Sequence, residues 1–398
     1  MSDLPLDGLR VLDLSRVLAG PYCTMLLADL GAEVVKLERP GSGDETRAWG
    51  PPFVAGESAY HLAVNRGKRS VALDLHGERA RAAALRLAAT ADVLVENFRT
   101  GGAEALGVGY EQVRRVSPRL VYCSITGFGR REPVGRSGYD FVIQAESGLM
   151  SITGEAGGEP LKVGVAIVDV LAGLNAAVAI LAALRRRDRT GEGEHVEVSL
   201  LDSAVSGLAN VAQSALITGE EAGRYGNAHQ SIAPYEPLRA QDGLVAVAAA
   251  NDGLFAKLCA ALERDDLAAD PRFSTNALRV EHRAELAREL ERTLAARPAA
   301  HWIERLTAAG VPAGKIRGVR EALAEAAATG EPATFAVEHP KVGQLELVRT
   351  APRFGTGETT RPRPPPLLGQ HTREVLREAG LDDAAIDAVV AEPDGDSS

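Results

Sequence analysis

The sequence predicts an α/β protein with a Rossmann-like large domain, built on a mostly parallel sheet, and a smaller α+β domain. Three observations carry this prediction. Short apolar runs alternate with amphipathic stretches through the first half, a pattern that calls for parallel strands covered by helices on both faces. The 398 residues exceed what one hydrophobic core usually holds, so at least two domains are expected. Composition then shifts near Gly223, where turn-forming residues accumulate.

Taken in order, LRVLDLS reads as a first strand, PYCTMLLADLG as a helix and VVKLE as a second strand. SVALDLH, a long alanine and arginine helix, VLVENF and LVYCSIT repeat the alternation. The stretch VGVAIVDVLAGL, Val163 to Leu174, passes from a half-buried strand pattern into an alanine-rich helix, which RRRDRTGEGE closes with cations suited to the negative end of its dipole. EHVEVSL reads as a strand and LDSAVSGLANVAQSALITG as one further helix. After the turn-rich GRYGNAHQSIAPYEPLRAQDG come a strand, LVAVAAA, and short helices up to about Ala327. QLELVRTAPRFG returns to strand character. The proline-rich RPRPPPLLGQH cannot sit inside a helix and must run extended. A last helix, TREVLREAGL, starts at a threonine cap, and DDAAIDAVVA follows it.

Bulk properties narrow the function classes. A formal net charge of −10 argues against a general binder of nucleic acid or anionic membrane, so an anionic ligand must be met by a local basic cluster. Cys23, Cys123 and Cys259 are odd in number and lack metal-ligand spacing, which disfavours disulfides and a zinc site. A reducing cytoplasm fits them best. No secretory signal is read at the start. The apolar stretch from Val163 to Leu184 approaches the roughly 20 residues of a membrane span, but Asp169, Gly173 and Asn175 interrupt it, and a buried helix is expected instead.

RVLAGPYCTMLLADLGAEVVKLE invites a dinucleotide reading, since Glu38 ends the second strand where a ribose-binding acid would lie. The glycines fail, because Gly20 stands alone between Ala19 and Pro21. Basic residues nonetheless recur at strand ends: Arg16, Lys36, Arg39, Lys68, Arg69 and Arg99. Arg16, Arg39, His76 and Arg99 can converge beyond the carboxyl ends of the strands on a phosphorylated ligand. Asp169 has two compatible readings. It can cap the helix it begins, for about 1 kcal/mol, or serve as a carboxylate nucleophile held as an anion by the helix terminus. In SGYDFVIQAESG, Tyr139, Asp140 and Glu146 fall at a helix start that Ser137 would cap. The scattered histidines form no HxxxH pair, and a GxSxG elbow is missing.

The segments LDGLRVLDLSRVLAGP, LGAEVVKLERPGSGDETR, NRGKRSVALDL, ADVLVENFRTGG, SGYDFVIQAESGLMSITG and PLLGQHTREVLREAGL resemble, in order and spacing, the family III CoA-transferases. That group includes formyl-CoA transferase, carnitine CoA-transferase and α-methylacyl-CoA racemases. The resemblance implies a large domain built from both ends of the chain, here 1–222 and the return segment 328–398, with a small domain at 223–327. It also implies an interlinked, ring-shaped homodimer. Asp169 becomes the family nucleophile, moving CoA from an acyl-CoA donor to a free carboxylic acid without metal or redox cofactor. Val17, Leu18 and Ala19 resemble the wall against CoA, and Arg39 the neighbour of its adenosine phosphate. Leu73, Asp74, Leu75 and His76, with Asn97, Phe98 and Arg99, resemble the other CoA-contacting strand ends, and Tyr139 the pantetheine or thioester neighbour.

Departures from the pattern are informative. Ala105 stands where the family often has a phosphate-binding arginine, with Arg99 as its substitute, and the small domain carries no glycine-rich covering loop of the formyl-CoA transferase kind. Racemases resemble GHD at the SGYD position. Tyr139 is a poor base there, since a free phenol ionises near pH 10, so transfer is favoured over an α-methylacyl-CoA racemase, and a non-catalytic CoA-binding protein stays as a further alternative. Resemblance to members with GYDFVIQ suggests a dicarboxylate pair, and His229 either shapes the acceptor pocket or is a loop histidine bonded to backbone.

Overall fold

The apolar runs of the first half become six strands: β1 (Arg10–Asp13), β2 (Glu33–Glu38), β3 (Lys68–Ala72), β4 (Val93–Glu96), β5 (Val121–Thr126) and β6 (Glu194–Ser199). A computed structural model describes residues 4–129, 136–329, 332–355 and 363–391 of the chain. Every neighbouring pair in this sheet is parallel, in the order β3-β2-β1-β4-β5-β6. That is the strand order of dinucleotide-binding sheets, and it reverses direction between β1 and β4.

Both faces of the sheet are covered, as parallel strands require. On one side α1 (Ala19–Asp29), together with the later helices Ile167–Thr190 and Leu200–Gly207, buries Cys23, Leu27, Ala172, Ala176 and Ile180 against Val11, Val95 and Cys123. On the other, α2 (Glu78–Ala89) joins the C-terminal helices Thr372–Glu378 and Asp383–Val390 over Leu12, Leu94 and Tyr122. Val11 and Leu12 face opposite sides because strand side chains alternate. The remaining helices used below are α3 (Tyr110–Val116), α4 (Asp140–Glu146), α5 (Ile167–Thr190) and α6 (Leu200–Gly207). With 24 residues, α5 is long and apolar enough to cross a bilayer. Its row of Val168, Ala172, Ala176 and Ile180 is instead fully buried within this core. A Cβ at Gly173 would stand 2.7 Å from the Ala19 carbonyl oxygen, so the glycine lets α1 and α5 meet backbone to backbone.

Several local expectations are corrected. Residues 163–166 are irregular rather than a strand. Their polar groups are taken elsewhere: the Val163 amide by a glutamine side chain, and the Val165 carbonyl by the Ile167 amide. The segment from Leu200 to Thr218 is two helices, broken at Leu208 with Ala209 at φ +46°. Thr372 does not cap its helix. Its hydroxyl accepts the Ala72 amide at 3.0 Å and donates to Gly369, pinning the C-terminal helix to β3.

The structure divides into two compact units, the first comprising 1–149, 163–213 and 332–398, the second 150–162 and 214–331. The composition shift at Gly223 lies inside the second unit, which also takes in 150–162, a segment that the sequence assigns to the large domain. In the second unit Leu244–Ala248 is the centre of a three-stranded antiparallel sheet between Tyr235–Arg239 and Ala313–Lys315. Tyr235–Arg239 is hard to read as a strand because Pro237 sits in it, a residue tolerated only on an edge. In the first unit a hairpin of Thr334–His339 and Gly343–Val348 precedes the proline-rich segment. Pro365 and Pro366 there are buried, and the Pro366 carbonyl accepts from Arg47.

Candidate active site

Open parallel sheets bind ligands beyond the carboxyl ends of their strands where the order reverses. Here that point lies between β1 and β4, and the chains leaving the two strands are tied together. The Asn97 amide accepts from the Arg16 N–H at 2.8 Å and donates to the Arg16 carbonyl at 2.7 Å. The next residue, Val17, has φ +68°, a conformation that a β-branched side chain rarely adopts and that clusters at functional sites. Gly20 serves packing: a Cβ there would come within 2.2 Å of the Ser15 side chain.

Around this point opens a cleft of about 1870 Å³. Val17, Leu18, Ala19, Asn97, Phe98, Arg99 and Tyr139 all line it, and so does Asp169. An adjoining hollow of about 1220 Å³ is lined by Arg39, Leu73, Asp74, Leu75 and His76. Arg16, Glu45 and Phe98 border both, so the two form one groove along the strand ends. The residues that the resemblance assigns to catalysis and to CoA therefore all border this groove. Ala105 borders neither hollow. His229 lies in the second unit, where its ring accepts the Ser231 amide at 3.0 Å, the backbone-bonded arrangement.

The basic residues at strand ends divide into two groups. Arg39 and Arg99 are exposed beside the groove. Lys36 and Lys68 are fully buried beneath it and paired, at 3.0 Å with Asp44 and 2.9 Å with Asp13. Buried and already paired with carboxylates, they hold the floor of the groove. Burial pushes the Asp13 carboxyl up, but Lys68 and Lys36 outweigh it and leave its pKa below the usual value. Lys68 is lowered to about 8 by burial, against the pull of Asp13. Glu38, despite burial, is lowered to about 2 by a two-pronged contact with Arg47 at 2.8 and 2.7 Å and by Lys36. Lys36 also donates to the Ser15 carbonyl at 2.6 Å, fixing the turn that begins the cleft wall.

Asp169 is the third residue of α5 and does not cap it. The cap comes from α4, where Asp140 Oδ1 accepts the Val168 amide at 2.8 Å and the Asp169 amide at 3.4 Å. Ser137 does not cap α4, and Tyr139, which precedes the helix at the cap position, makes no side-chain cap either. Among the described residues nothing donates to the Asp169 carboxylate, which instead borders the cleft beside Leu200 and Tyr139. Burial, then the Asp140 carboxylate, raises its pKa to about 7. This reverses the expectation of an acid kept ionised by the helix terminus. The Tyr60 phenol lies within the same field and is raised to about 12 by burial and then by Asp169 and Asp140. Sequence reasoning missed Glu45 and Trp49, which line the groove, and Tyr60, which packs edge-on against Trp49 at 5.4 Å, and weighed Asp140 only as a helix start. The one visible signal was the spacing of Asp140 and Gln144, one helical turn apart. Among the described residues no cluster of three His, Cys, Asp or Glu is arranged to hold a metal.

Comparison with known proteins supplies the context. A family model described as "CoA-transferase family III" matches residues 6–372. The chain is 43% identical to the succinyl-CoA:glutarate CoA-transferase of Mus musculus, over 97% of this chain and 89% of that protein. It is 42% identical to the succinate–glutarate CoA-transferase of Agrobacterium fabrum, over 94% and 95% of the two chains. Among solved structures, a CAIB/BAIF family protein from Brucella suis superposes with a TM-score of 0.83 at 42% identity, covering 95% of this chain and all of that one.

Proposed function

The chain belongs to CoA-transferase family III, and on that premise we propose that Asp169 is the residue that takes the acyl group during CoA transfer. The observation that carries this reading is a carboxylate that has no hydrogen-bond partner among the described residues and borders the cleft at the sheet's switch point. In the first step an Asp169 oxygen attacks the carbonyl carbon of the donor thioester. The C–S bond breaks, the thiolate leaves with its electron pair, and a mixed anhydride forms. The thiolate then attacks the aspartyl carbonyl, expelling the donor's carboxylate and leaving an aspartyl-CoA thioester. The acceptor carboxylate attacks that carbonyl and displaces the thiolate, which finally attacks the acceptor's acyl carbon and regenerates Asp169. No metal or redox partner is required, because the thioester's energy is carried through each intermediate.

The raised pKa of Asp169 suits this chemistry. A carboxyl near 7 is closer to a thiol's ordinary pKa of about 8.5 than a free aspartate is, so nucleophile and leaving group are better matched. The ionised form is the reactive one. The rate of transfer should therefore rise with pH through about 7 and flatten above it. A profile already flat at pH 5 would contradict this assignment.

For CoA we assign Val17, Leu18 and Ala19, Leu73 to His76, Asn97 to Arg99 and Tyr139 as the contacting wall, with Arg39 and Arg99 toward the phosphates. Asn97 acts through the Arg16 backbone, since its amide is already engaged there. The substrates we propose are two dicarboxylates, one entering as its CoA ester. Support comes from the succinate and glutarate named for the two relatives, and from Arg16 and Arg136 on the cleft, which can hold a second carboxylate. In an exchange assay with succinyl-CoA, glutarate should outcompete a monocarboxylate of equal length; equal use of both would overturn the diacid assignment.

We also propose the interlinked homodimer. Leu174 and Val178 lie one turn apart on α5 and stay exposed with Val205 of α6, an apolar surface that a second chain can cover. Sedimentation should give twice the chain mass of 41.9 kDa, and a monomer would contradict it. The buried free thiols Cys23, Cys123 and Cys259 support a cytoplasmic location, which fractionation of the source cells can test.

A further inference from the structure

The start of α5 poses a problem that the sequence solves in an unusual way. The first amides of a helix lack partners, and an acid at the third position ordinarily reaches back to them. Asp169 occupies that position, and the preceding Ala166 offers no acceptor side chain. Were Asp169 to bond its own amides, its carboxylate would be turned from the cleft and held as a weakly nucleophilic anion.

Two residues of α4 prevent this. Asp140 Oδ1 accepts the Val168 and Asp169 amides, and its other oxygen accepts the Gln144 amide N–H at 2.7 Å. Gln144 is fully buried, and its carbonyl oxygen accepts the Val163 amide at 2.9 Å. The pair therefore joins α4 both to the first turn of α5 and to the irregular segment before it. We propose that Asp140 and Gln144 are positioning residues that occupy the helix terminus so that the Asp169 carboxylate is left unbonded and facing the cleft. This rests on the reading of Asp169 as nucleophile.

The electrostatics agree with the geometry, because the Asp140 carboxylate is a stated cause of the raised Asp169 pKa. Other charged or titratable groups lie around it: the Tyr60 phenol of the helix Ala59–Val64, whose own pKa Asp169 helps to raise, and Arg16, Glu45, Arg99, Arg136 and Tyr139, which line the same cleft. Tyr22 of α1 approaches α5 one turn further on.

The test is a cycle of two substitutions. Asp140→Asn keeps an oxygen for the amides but sets an N–H₂ against that of Gln144, while Gln144→Glu sets two carboxylates together. Combined, they restore the pattern with polarity reversed, since the asparagine N–H₂ can donate to the new carboxylate and its other oxygen can accept from Val163. Each single variant should lose about tenfold or more in kcat, and the double should recover to within about threefold of the wild type, with KM for the donor little changed. The pH midpoint should fall in Asp140→Asn and rise in Gln144→Glu. A double variant no better than the poorer single, or midpoints that do not move, would overturn the inference, including where a single fails to fold. Donor-dependent hydroxylamine labelling of Asp169 in the wild type separates the two questions: labelling without recovery sinks the Asp140–Gln144 role alone, and no labelling sinks the nucleophile.

Discussion

Asp169→Ala should still bind CoA, yet turn over at least about 10⁴-fold more slowly, because a lost nucleophile removes the covalent path while the wall that holds the ligand remains. Calorimetry with CoA and an exchange assay read the two halves separately. Residual turnover near the wild-type rate would contradict the role given to this side chain. The isosteric Asp169→Asn should lose activity equally but gain stability, and the sign follows from linkage. The folded carboxyl holds its proton up to about pH 7, whereas an unfolded aspartate releases it near its model value of 3.8. The native acid thus favours folding when protonated, and this contribution drains away as pH rises from about 4 to about 7. Asparagine has no such loss. At pH 8 the variant should be more stable by about 2 kcal/mol, discounted for partial exposure, with little difference at pH 4. The site trades stability for reactivity.

A second large effect is expected in the floor of the groove. Asp13→Ala should cost about 3–5 kcal/mol in a urea titration, because it leaves the Lys68 ammonium buried without its carboxylate. Asp13 also accepts the Ser15 amide at 2.9 Å and the Thr24 hydroxyl at 2.6 Å, so the turn at the start of the cleft loses its anchor as well. Replacing both members of the pair with apolar residues of similar volume should return much of the loss, since no unpaired charge then remains. A cost below about 1 kcal/mol for Asp13→Ala would show that the floor is not held in this way.

The layered sheet was legible because its strands are buried on both faces and so read as unbroken apolar runs, LRVLDLS and LVYCSIT among them. Arg16, Arg39, His76 and Arg99 were legible as an edge because they follow those runs directly. Lys36 and Lys68 read like members of the same set, and only the fold reveals that Asp44 and Asp13 have claimed them. Asp169 stood out as a lone acid among apolar residues, but its protonation behaviour did not. That depends on Asp140, 29 positions earlier in the chain, and no local pattern reports a contact of that range. Thr372 misled for the same reason, its hydroxyl answering to β3 rather than to its own helix. Pro237 hid an edge strand behind a residue that usually ends one.

The most direct measurement is to incubate the protein with an acyl-CoA and hydroxylamine, digest it, and read the modified peptide by mass spectrometry. An acyl or thioester link to a carboxylate is cleaved by hydroxylamine to a hydroxamate, so Asp169 should carry that mark when acyl-CoA is supplied and remain unmodified with free CoA alone. A mark on a different acid, or none under conditions of active turnover, would contradict the account.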